Sequence, residues 1–239
     1  MSRASVSAIQ LLPHPARPGR LPGIVQLSLP AAQRGVQFWY VSHQSDHYVP
    51  DLTTVTRADL SEFAALRHAP ALRRSLETRA ALRRALSAEV SGLVKPDDWV
   101  FDRPPSGKPL ISQGFPQLHF SCSHVEALSL IVVSTSRPVG VDIAPAAVPT
   151  DASFLESHFT AQERQRLSRI QCAAERSGVA AQLWALKEAY AKLTGIGIAE
   201  LRTADQSELS FDSQHVCDLV FHSWQIDHEG DRFSIGLAC

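Results

Sequence analysis

Apolar positions along the chain follow two different periods, and each period predicts its own kind of element. Continuous runs of apolar, aromatic and β-branched residues predict strands. These runs cover residues 36–41, 118–124, 128–134, 139–143, 208–211, 216–224 and 232–238. Apolar residues at helical spacing predict helices over residues 59–68, 70–90, 154–159, 161–170 and from 175 or 177 to 194. Strands and helices do not alternate regularly, so we expect an α+β fold.

Local signals mark the ends of the longest helices. Thr160 and Glu163 have the spacing of a capping box, in which each residue satisfies a backbone N–H of the other at the start of a helix. Gly195 follows the last helical stripe and predicts its end. The stripe over residues 70–90 ends before Gly92. The second half of the chain is therefore expected to hold one long helix behind a shorter, capped one.

Composition and charge change this picture little. The 239-residue chain is 44% hydrophobic and 20% charged, with a net charge of −1. This balance is that of a globular protein with a sizeable core, and the charge gives no reason to expect a nucleic-acid or membrane partner. No apolar run reaches the length of about eighteen residues that a membrane-spanning helix needs. The four cysteines lack metal-ligand spacing and indicate a reducing, cytoplasmic compartment.

The first 35 residues differ from the rest of the chain. They contain four arginines, several prolines and no acidic side chain. This composition is typical of a disordered leader, and a transit peptide has a similar one. We therefore predict a Pro/Arg-rich leader over residues 1–35, an N-terminal lobe over residues 36–138 and a C-terminal lobe over residues 139–239.

Two acidic side chains stand in apolar surroundings. Asp142 lies near the end of a strand, two residues after Gly140. Glu188 shares one helix stripe with Trp184 and Lys192, at i, i+4 and i+8. An Asp at a strand end is usually a turn former, and a Glu–Lys pair is often solvated. Charged groups on a largely apolar helix are costly unless they are paired or bound to something, which favours a site with hard-cation ligands.

A second group of polar residues lies earlier in the chain. Lys108 stands in a loop of glycine and prolines, and Ser123 and His124 follow a short strand. Each can donate hydrogen bonds to phosphate oxygens. Each taken alone is more typical of a solvated loop or a satisfied turn.

In this order, the motifs resemble the 4′-phosphopantetheinyl transferase superfamily, and specifically its two-lobed, Sfp-type branch. The resemblance rests on a Gly-Lys-Pro loop, a Phe-x-x-Ser-His turn, a Gly-hydrophobic-Asp strand and a Trp-x-x-Lys-Glu-x-x-x-Lys helix. It implies an α+β fold of two similar lobes related by a pseudo-twofold axis. It also implies an enzyme of the holo-[acyl-carrier-protein] synthase type, which moves 4′-phosphopantetheine from coenzyme A to a serine of an apo carrier protein and releases 3′,5′-ADP.

The resemblance assigns roles to individual residues. Asp142 and Glu188 would bind Mg²⁺, Glu188 would also act as the base, and Lys192 would lie near the reacting phosphate. The residues that would hold coenzyme A, the co-substrate, between the lobes are Lys108, Ser123, His124 and, at the 3′-phosphate, Arg73, Arg74 and Arg79. The nucleophile would belong to the carrier protein.

The chain departs from the family pattern at two places. Ala144 stands where the family has a second acidic residue after the strand Asp, and strand alternation would put positions 142 and 144 on one face. One carboxylate ligand is therefore missing, which predicts weaker metal binding and greater dependence on pyrophosphate oxygens. Ser121 replaces the usual Asn, and Val125 and Glu126 replace small residues after the histidine.

Two other functions fit parts of the sequence. Ala144 also suits a non-catalytic module of the same fold that binds coenzyme A or a carrier protein. The Arg-rich helix over residues 67–84 could contact nucleic acid, although interleaved leucines are more typical of a core helix with a solvated face. We expect coenzyme A and an apo carrier protein as partners, no nucleic acid, no membrane, and a monomer. The sequence leaves fatty-acid, polyketide and nonribosomal-peptide carriers open.

Overall fold

The computed structural model describes residues 9–10, 25–27, 35–43, 51–104, 107–112, 114–196, 215–216 and 219–239. Its contacts divide the chain into two compact units. One unit consists of His14–Pro138, here called the N-terminal unit. The other consists of Met1–Pro13 and Val139–Cys239, here called the C-terminal unit.

Strands and helices both contribute to the described chain. The strands are β1 (Ile9–Gln10), β2 (Val25–Leu27), β3 (Val36–Ser42), β4 (Phe101–Asp102), β5 (Leu110–Ile111), β6 (His119–His124), β7 (Leu128–Ser134), β8 (Gly140–Pro145), β9 (His215–Val216), β10 (Leu219–His228) and β11 (Asp231–Ala238). The α-helices are α1 (Arg57–Glu62), α2 (Ala69–Glu89), α3 (Ala152–His158), α4 (Ala161–Ser168) and α5 (Ala173–Thr194). None of these helices is both long and apolar enough to cross a bilayer.

An antiparallel sheet in the order β2-β3-β7-β6 forms the centre of the N-terminal unit. Helix α2 packs on β7 and β3, and every residue of β7 is buried. Strands β4 and β5 form a separate two-stranded ribbon. The core between these elements consists of Trp39, Val41, Ala81, Leu82, Ala85, Leu86, Trp99, Leu118, Phe120, Ile131 and Val133.

A second sheet, in the order β1-β10-β11-β8, forms the centre of the C-terminal unit. Its pairs β10–β11 and β11–β8 are antiparallel, whereas β1 runs parallel to β10. Helix α5 packs along β8 and β11. One small apolar cluster under this helix joins Leu186, Ala189, Phe221 and Ala238.

Two glycines let α5 lie directly on the sheet backbone. A Cβ atom at Gly140 would stand 1.9 Å from the carbonyl oxygen of Ala189, and one at Gly236 would stand 2.4 Å from that of Ala185. Ala185 and Ala189 are one helical turn apart, so the helix touches two neighbouring strands at successive turns. Because the contacts join backbone to backbone, they fix the height of α5 above β8 and β11.

The capping box predicted at Thr160 is present and is coupled to α5. Thr160 accepts from the backbone N–H of Glu163, and the Glu163 carboxylate accepts from the backbone N–H of Thr160. The same carboxylate oxygen accepts from Lys187 Nζ of α5 at 2.7 Å. The Lys187 side chain is only 2% exposed and lies over the Phe159 ring. This buried ion pair therefore ties the start of α4 to one face of α5.

The structure confirms the α+β class, and most predicted elements are present with shifts of up to four residues at their ends. The helix predicted over residues 59–68 is wrong at its end, because α1 stops at Glu62 and turns lead directly into α2. The short strands β1 and β2 lie inside the segment predicted as a leader. The strand predicted over residues 208–211 lies outside the described residues. The domain bounds and the pseudo-twofold relation stay predictions.

Gly236→Ala should destabilise the protein by about 3 kcal/mol, because the added methyl group collides with helix backbone that cannot move aside alone. Gly178→Ala is the matched control, since its Cβ would meet only Ala146 O at 3.7 Å. Its higher helix propensity should stabilise α5 by about 0.5 kcal/mol. Urea unfolding of both variants measures the difference, and equal stabilities would contradict the backbone contact.

Glu163→Gln should destabilise the protein by about 3 kcal/mol, because Lys187 would keep a buried charge without a counter-charge. The glutamine side chain can still accept from the backbone N–H of Thr160, so the capping box at the start of α4 is kept. Adding Lys187→Met should restore most of the stability. The coupling is measured by unfolding the two single variants and the double variant, and purely additive effects would argue against the pair.

Candidate functional site

Strand β8 presents Asp142 to α5. Gly140 faces the helix, as its Cβ geometry shows, and side chains two apart on a strand share a face. Asp142 and Ala144 therefore lie on the helix side, and both residues are buried. Asp142 pairs across the sheet with Gly236, the other position where α5 comes closest. The carboxylate is thus held at the point where strand and helix approach each other most closely.

Lys192 of α5 reaches this carboxylate. Its Nζ donates to Asp142 Oδ1 at 2.7 Å. The Lys192 side chain is 30% exposed and that of Asp142 is 8% exposed. The ion pair therefore lies at the edge of the interior, where an ammonium on a flexible stem can still move.

Glu188 lies one turn before Lys192 on α5, and the charges of Asp142 and Lys192 both act on its pKa. Burial raises the pKa of Glu188 above its ordinary value, and the charge of Asp142 raises it further. Lys192 and His158 act in the opposite direction without cancelling the rise. Asp142, Glu188 and Lys192, which the sequence analysis singled out, are thus brought together in the C-terminal unit.

An aromatic wall that the sequence analysis missed stands beside Glu188. The rings of His158 and Trp184 meet edge to face with centroids 4.6 Å apart, and Phe154 lies 4.4 Å from His158. His158 Nδ1 lies 2.8 Å from the carbonyl oxygen of Phe154. A carbonyl oxygen only accepts, so Nδ1 carries the proton. Only the helical position of Trp184 is visible in the sequence, because the other contacts come from α3.

The oxygen donors present fit a hard divalent cation such as Mg²⁺. Two carboxylates, Asp142 and Glu188, lie close enough for the charge of Asp142 to raise the pKa of Glu188. Across the described ranges, no three His, Cys, Asp or Glu side chains converge as a metal cage would require. Mg²⁺ commonly binds one or two carboxylates and completes its shell with water and substrate phosphates. Ala144 lies on the same face but offers no oxygen.

Lys108, Ser123 and His124 lie in the N-terminal unit. Burial lowers the pKa of Lys108 to about 8, and the nearby Cys122 partly opposes this effect. On β6, Ser123 is buried and His124 is exposed. Burial and the Lys108 charge both lower the pKa of His119. Lys108, whose ammonium loses its charge near pH 8, therefore lies close to β6.

The three arginines predicted at the 3′-phosphate differ in their surroundings. Arg73 is exposed and donates to Glu77 at 2.7 Å. Arg74 is half-buried, and within the described part of the chain its Nε has no hydrogen-bond partner. Arg79 is 6% exposed and is held by two carboxylates, Asp59 at 2.8 Å and Glu62 at 2.9 Å.

Arg79 therefore belongs to an interior ion network rather than to an open phosphate site. Arg83 donates to the same Asp59 carboxylate at 3.0 Å through both Nε and Nη2, and both guanidinium groups lie over the Phe101 ring. We correct its assignment and leave Arg79 out of the proposed coenzyme A contacts. The helical stripe in the sequence could not separate Arg79 from its exposed neighbours, because the carboxylates that bury it come from α1.

A buried polar chain in the N-terminal unit has the hydrogen-bond order of a Ser-His-Glu triad. His43 Nδ1 lies 2.6 Å from Glu77, and His43 Nε2 lies 2.7 Å from Ser129 Oγ. Ser129 is fully buried and also contacts Thr78 Oγ1 at 2.6 Å. No substrate can reach a fully buried hydroxyl. These hydrogen bonds therefore join β7 to α2, and Ser129 does not act as a nucleophile.

A family model matches the C-terminal unit, and individual relatives match half of the chain or more. A model described as the 4′-phosphopantetheinyl transferase superfamily matches residues 138–237. The 4′-phosphopantetheinyl transferase HetI of a Nostoc species is 28% identical over 169 residues, which cover 70% of this chain and 71% of that protein. The 4′-phosphopantetheinyl transferase psf-1 of Bacillus pumilus is 35% identical over 123 residues, 52% of this chain and 51% of that protein.

A third relative comes from a fungus. The L-aminoadipate-semialdehyde dehydrogenase-phosphopantetheinyl transferase of Eremothecium gossypii is 34% identical over 134 residues, 54% of this chain and 48% of that protein. The chain thus spans about half the length of this relative and of the Bacillus pumilus protein. The matched region contains β8 and α5, the two elements that carry Asp142, Glu188 and Lys192. By this match, residues 138–237 of the chain are similar to the 4′-phosphopantetheinyl transferase superfamily.

Proposed function

We propose that this chain transfers the 4′-phosphopantetheine group of coenzyme A to a serine of an apo carrier protein and releases 3′,5′-ADP. One observation carries the proposal: within the region matched to the superfamily, two carboxylates and one ammonium meet between β8 and α5. Related proteins are named for this transfer. We further propose the two-lobed, Sfp-type branch and a cytoplasmic monomer, as the sequence analysis predicts.

In the proposed reaction, the carrier serine oxygen forms a bond to the β-phosphorus of coenzyme A. The anhydride P–O bond breaks, and 3′,5′-ADP leaves with the electron pair. Mg²⁺ bound by Asp142 and Glu188 would neutralise charge on the two phosphates. The serine proton goes to the Glu188 carboxylate, directly or through a water. The Lys192 ammonium would stabilise the charge that develops on the phosphate oxygens.

The nucleotide end of coenzyme A is assigned to the N-terminal unit. We propose that Lys108, Ser123 and His124 contact the phosphates and that Arg73 and Arg74 contact the 3′-phosphate. Arg74 supports this assignment best, since its buried Nε has no hydrogen-bond partner in the described chain. A buried donor without a partner is costly, and an incoming phosphate oxygen would satisfy it.

A non-catalytic binding module remains the competing function, and Ala144 is the observation that favours it. A chain of this kind would be stabilised against heat by coenzyme A but would add no mass to any carrier protein. The mass of a panel of apo carriers after incubation separates the two functions.

Glu188→Gln should lower the rate of transfer by about 10²–10⁴-fold, because the amide cannot accept the serine proton. Asp142→Ala should instead raise the Mg²⁺ concentration needed for half-maximal rate by about tenfold or more, because one of the two proposed carboxylate ligands is lost and even the loss of a ligand's hydrogen-bond partner costs about that much. Each variant is incubated with coenzyme A, Mg²⁺ and an apo carrier, and the carrier is weighed over time.

Glu175→Gln is the matched control for this experiment. Glu175 lies in the first turn of the same helix and is exposed, so its loss removes an equal charge without touching the site. Its rate should equal that of the wild type. Transfer at the full rate by the Glu188 variant would rule out Glu188 as the base.

Coenzyme A should bind about tenfold more weakly as the pH rises from about 7 to about 9, because Lys108 loses its charge near pH 8 and with it a charge-assisted hydrogen bond. Lys108→Arg stays charged throughout this range, so its affinity should change much less. Isothermal titration calorimetry of both proteins at each pH measures the effect. The same pH dependence in both would contradict a phosphate contact by Lys108.

A further inference from the structure

The ion pair between Lys192 and Asp142 occupies an oxygen that the proposed metal site needs. Lys192 Nζ donates to Asp142 Oδ1 at 2.7 Å. We infer that Lys192 is the resident counter-ion of Asp142, and that a divalent cation displaces its ammonium, which then turns to the phosphates of the substrate. This inference rests on the proposed function, because it concerns the same site, and it adds a coupling between metal binding and the position of Lys192.

The backbone around the pair is fixed, so only side chains can exchange. Gly140 and Gly236 hold α5 in direct contact with β8 and β11, and the Asp142 side chain is 8% exposed. Lys192 is different, since its side chain is 30% exposed and lies in the last turn of α5, just before Gly195. Its four-carbon stem can therefore swing while the carboxylate stays in place.

The charges favour exchange over simultaneous binding. Asp142, Glu188 and Lys192 together carry one net negative charge when all are ionised. A divalent cation beside an ammonium is repelled by it, whereas the same cation between two carboxylates is attracted by both. His158 is the other group of either sign that acts on Glu188, and its protonation would only add to the repulsion. The ammonium is thus the group most readily displaced.

The replacement of an acid by Ala144 makes this exchange matter more. A third carboxylate on the same face would hold the divalent cation even with the ammonium nearby. With Ala144 there, Asp142 is one of only two carboxylates for the cation, and Lys192 competes for it directly. A partly exposed ion pair is weak, so displacement is feasible at millimolar metal.

Lys187, on the same helix, forms an ion pair whose ammonium cannot be displaced. Its side chain is 2% exposed and lies 2.7 Å from Glu163, with the Phe159 ring beneath the ammonium. A lysine enclosed in this way cannot leave its carboxylate without remaining buried and uncompensated. The two lysines of α5 therefore have opposite tasks, one holding the helix and the other moving.

Metal binding without coenzyme A or carrier gives the first test. Mn²⁺ binding, followed by electron paramagnetic resonance, should be about fivefold tighter for Lys192→Met than for the wild type, because one competitor and one repelling charge are removed. Lys192→Arg keeps the charge and should bind Mn²⁺ within about twofold of the wild type. Arg169→Met, at an exposed position of the same unit, controls for net charge. Unchanged or weaker binding by Lys192→Met would overturn the inference.

The lysine signals of the wild-type chain give a second test, by nuclear magnetic resonance. The sequence contains only four lysines, Lys95, Lys108, Lys187 and Lys192, so each ¹³Cε signal can be assigned by substitution. Mg²⁺ should shift the Lys192 signal and leave those of Lys187 and Lys95 in place. In Asp142→Asn without metal, the Lys192 signal should already lie near its metal-bound position. A Lys192 signal that does not respond to Mg²⁺ also overturns the inference.

These measurements are independent of transfer. If the exchange occurs but no carrier gains mass, the proposed activity fails and the inference about Lys192 stands. If carriers are modified but Lys192→Met does not tighten Mn²⁺ binding, the inference fails and the activity stands. Absence of Mn²⁺ binding in every variant contradicts the exchange itself.

Discussion

The candidate site depends on one contact, the direct packing of α5 on the backbone of β8 and β11. Gly140 and Gly236 leave no side chain between helix and sheet, so the distance between them is set by backbone atoms. Asp142 then lies on the strand face that meets the helix and pairs with Lys192. A side chain at either glycine would lift the helix and separate the carboxylates that the proposed chemistry brings together.

Two ion pairs of α5 lie near that contact, and they differ in their exposure to solvent. Lys187 and Glu163 are enclosed and hold α4 against α5. Asp142 and Lys192 lie closer to solvent and can rearrange. Desolvation is expensive for a charge that loses its partner and mild for one that can reach water, so the enclosed pair suits a structural role. The accessible pair suits a role in which partners change during the reaction.

Sequence reasoning singled out three residues that the structure places near one another, but not the side chains around them. Asp142 and the stripe of Glu188 and Lys192 could be found because strand and helix periods place side chains on predictable faces. The contacts of His158 could not, since they arise where α3 meets α5. The resemblance implies a phosphate contact for Arg79, and neither the resemblance nor the helical period shows that Asp59 and Glu62 enclose this side chain. Likewise, the end of α1 depends on turns whose residues do not break a helix by themselves.

The buried carboxylates of the two units imply opposite responses to acid. Burial alone would raise the pKa values of Asp59 and Glu62, but hydrogen bonds from arginines lower both below their ordinary values. The stability that they contribute is present above the ordinary carboxyl pKa and is lost as the pH falls through the lowered values. Glu188, with its raised pKa, instead favours the folded state more as it gains a proton. Acidification would therefore relieve repulsion between β8 and α5 first and would loosen the arginine-bound interior of the N-terminal unit only at a lower pH, so the two units of one chain would differ in acid tolerance.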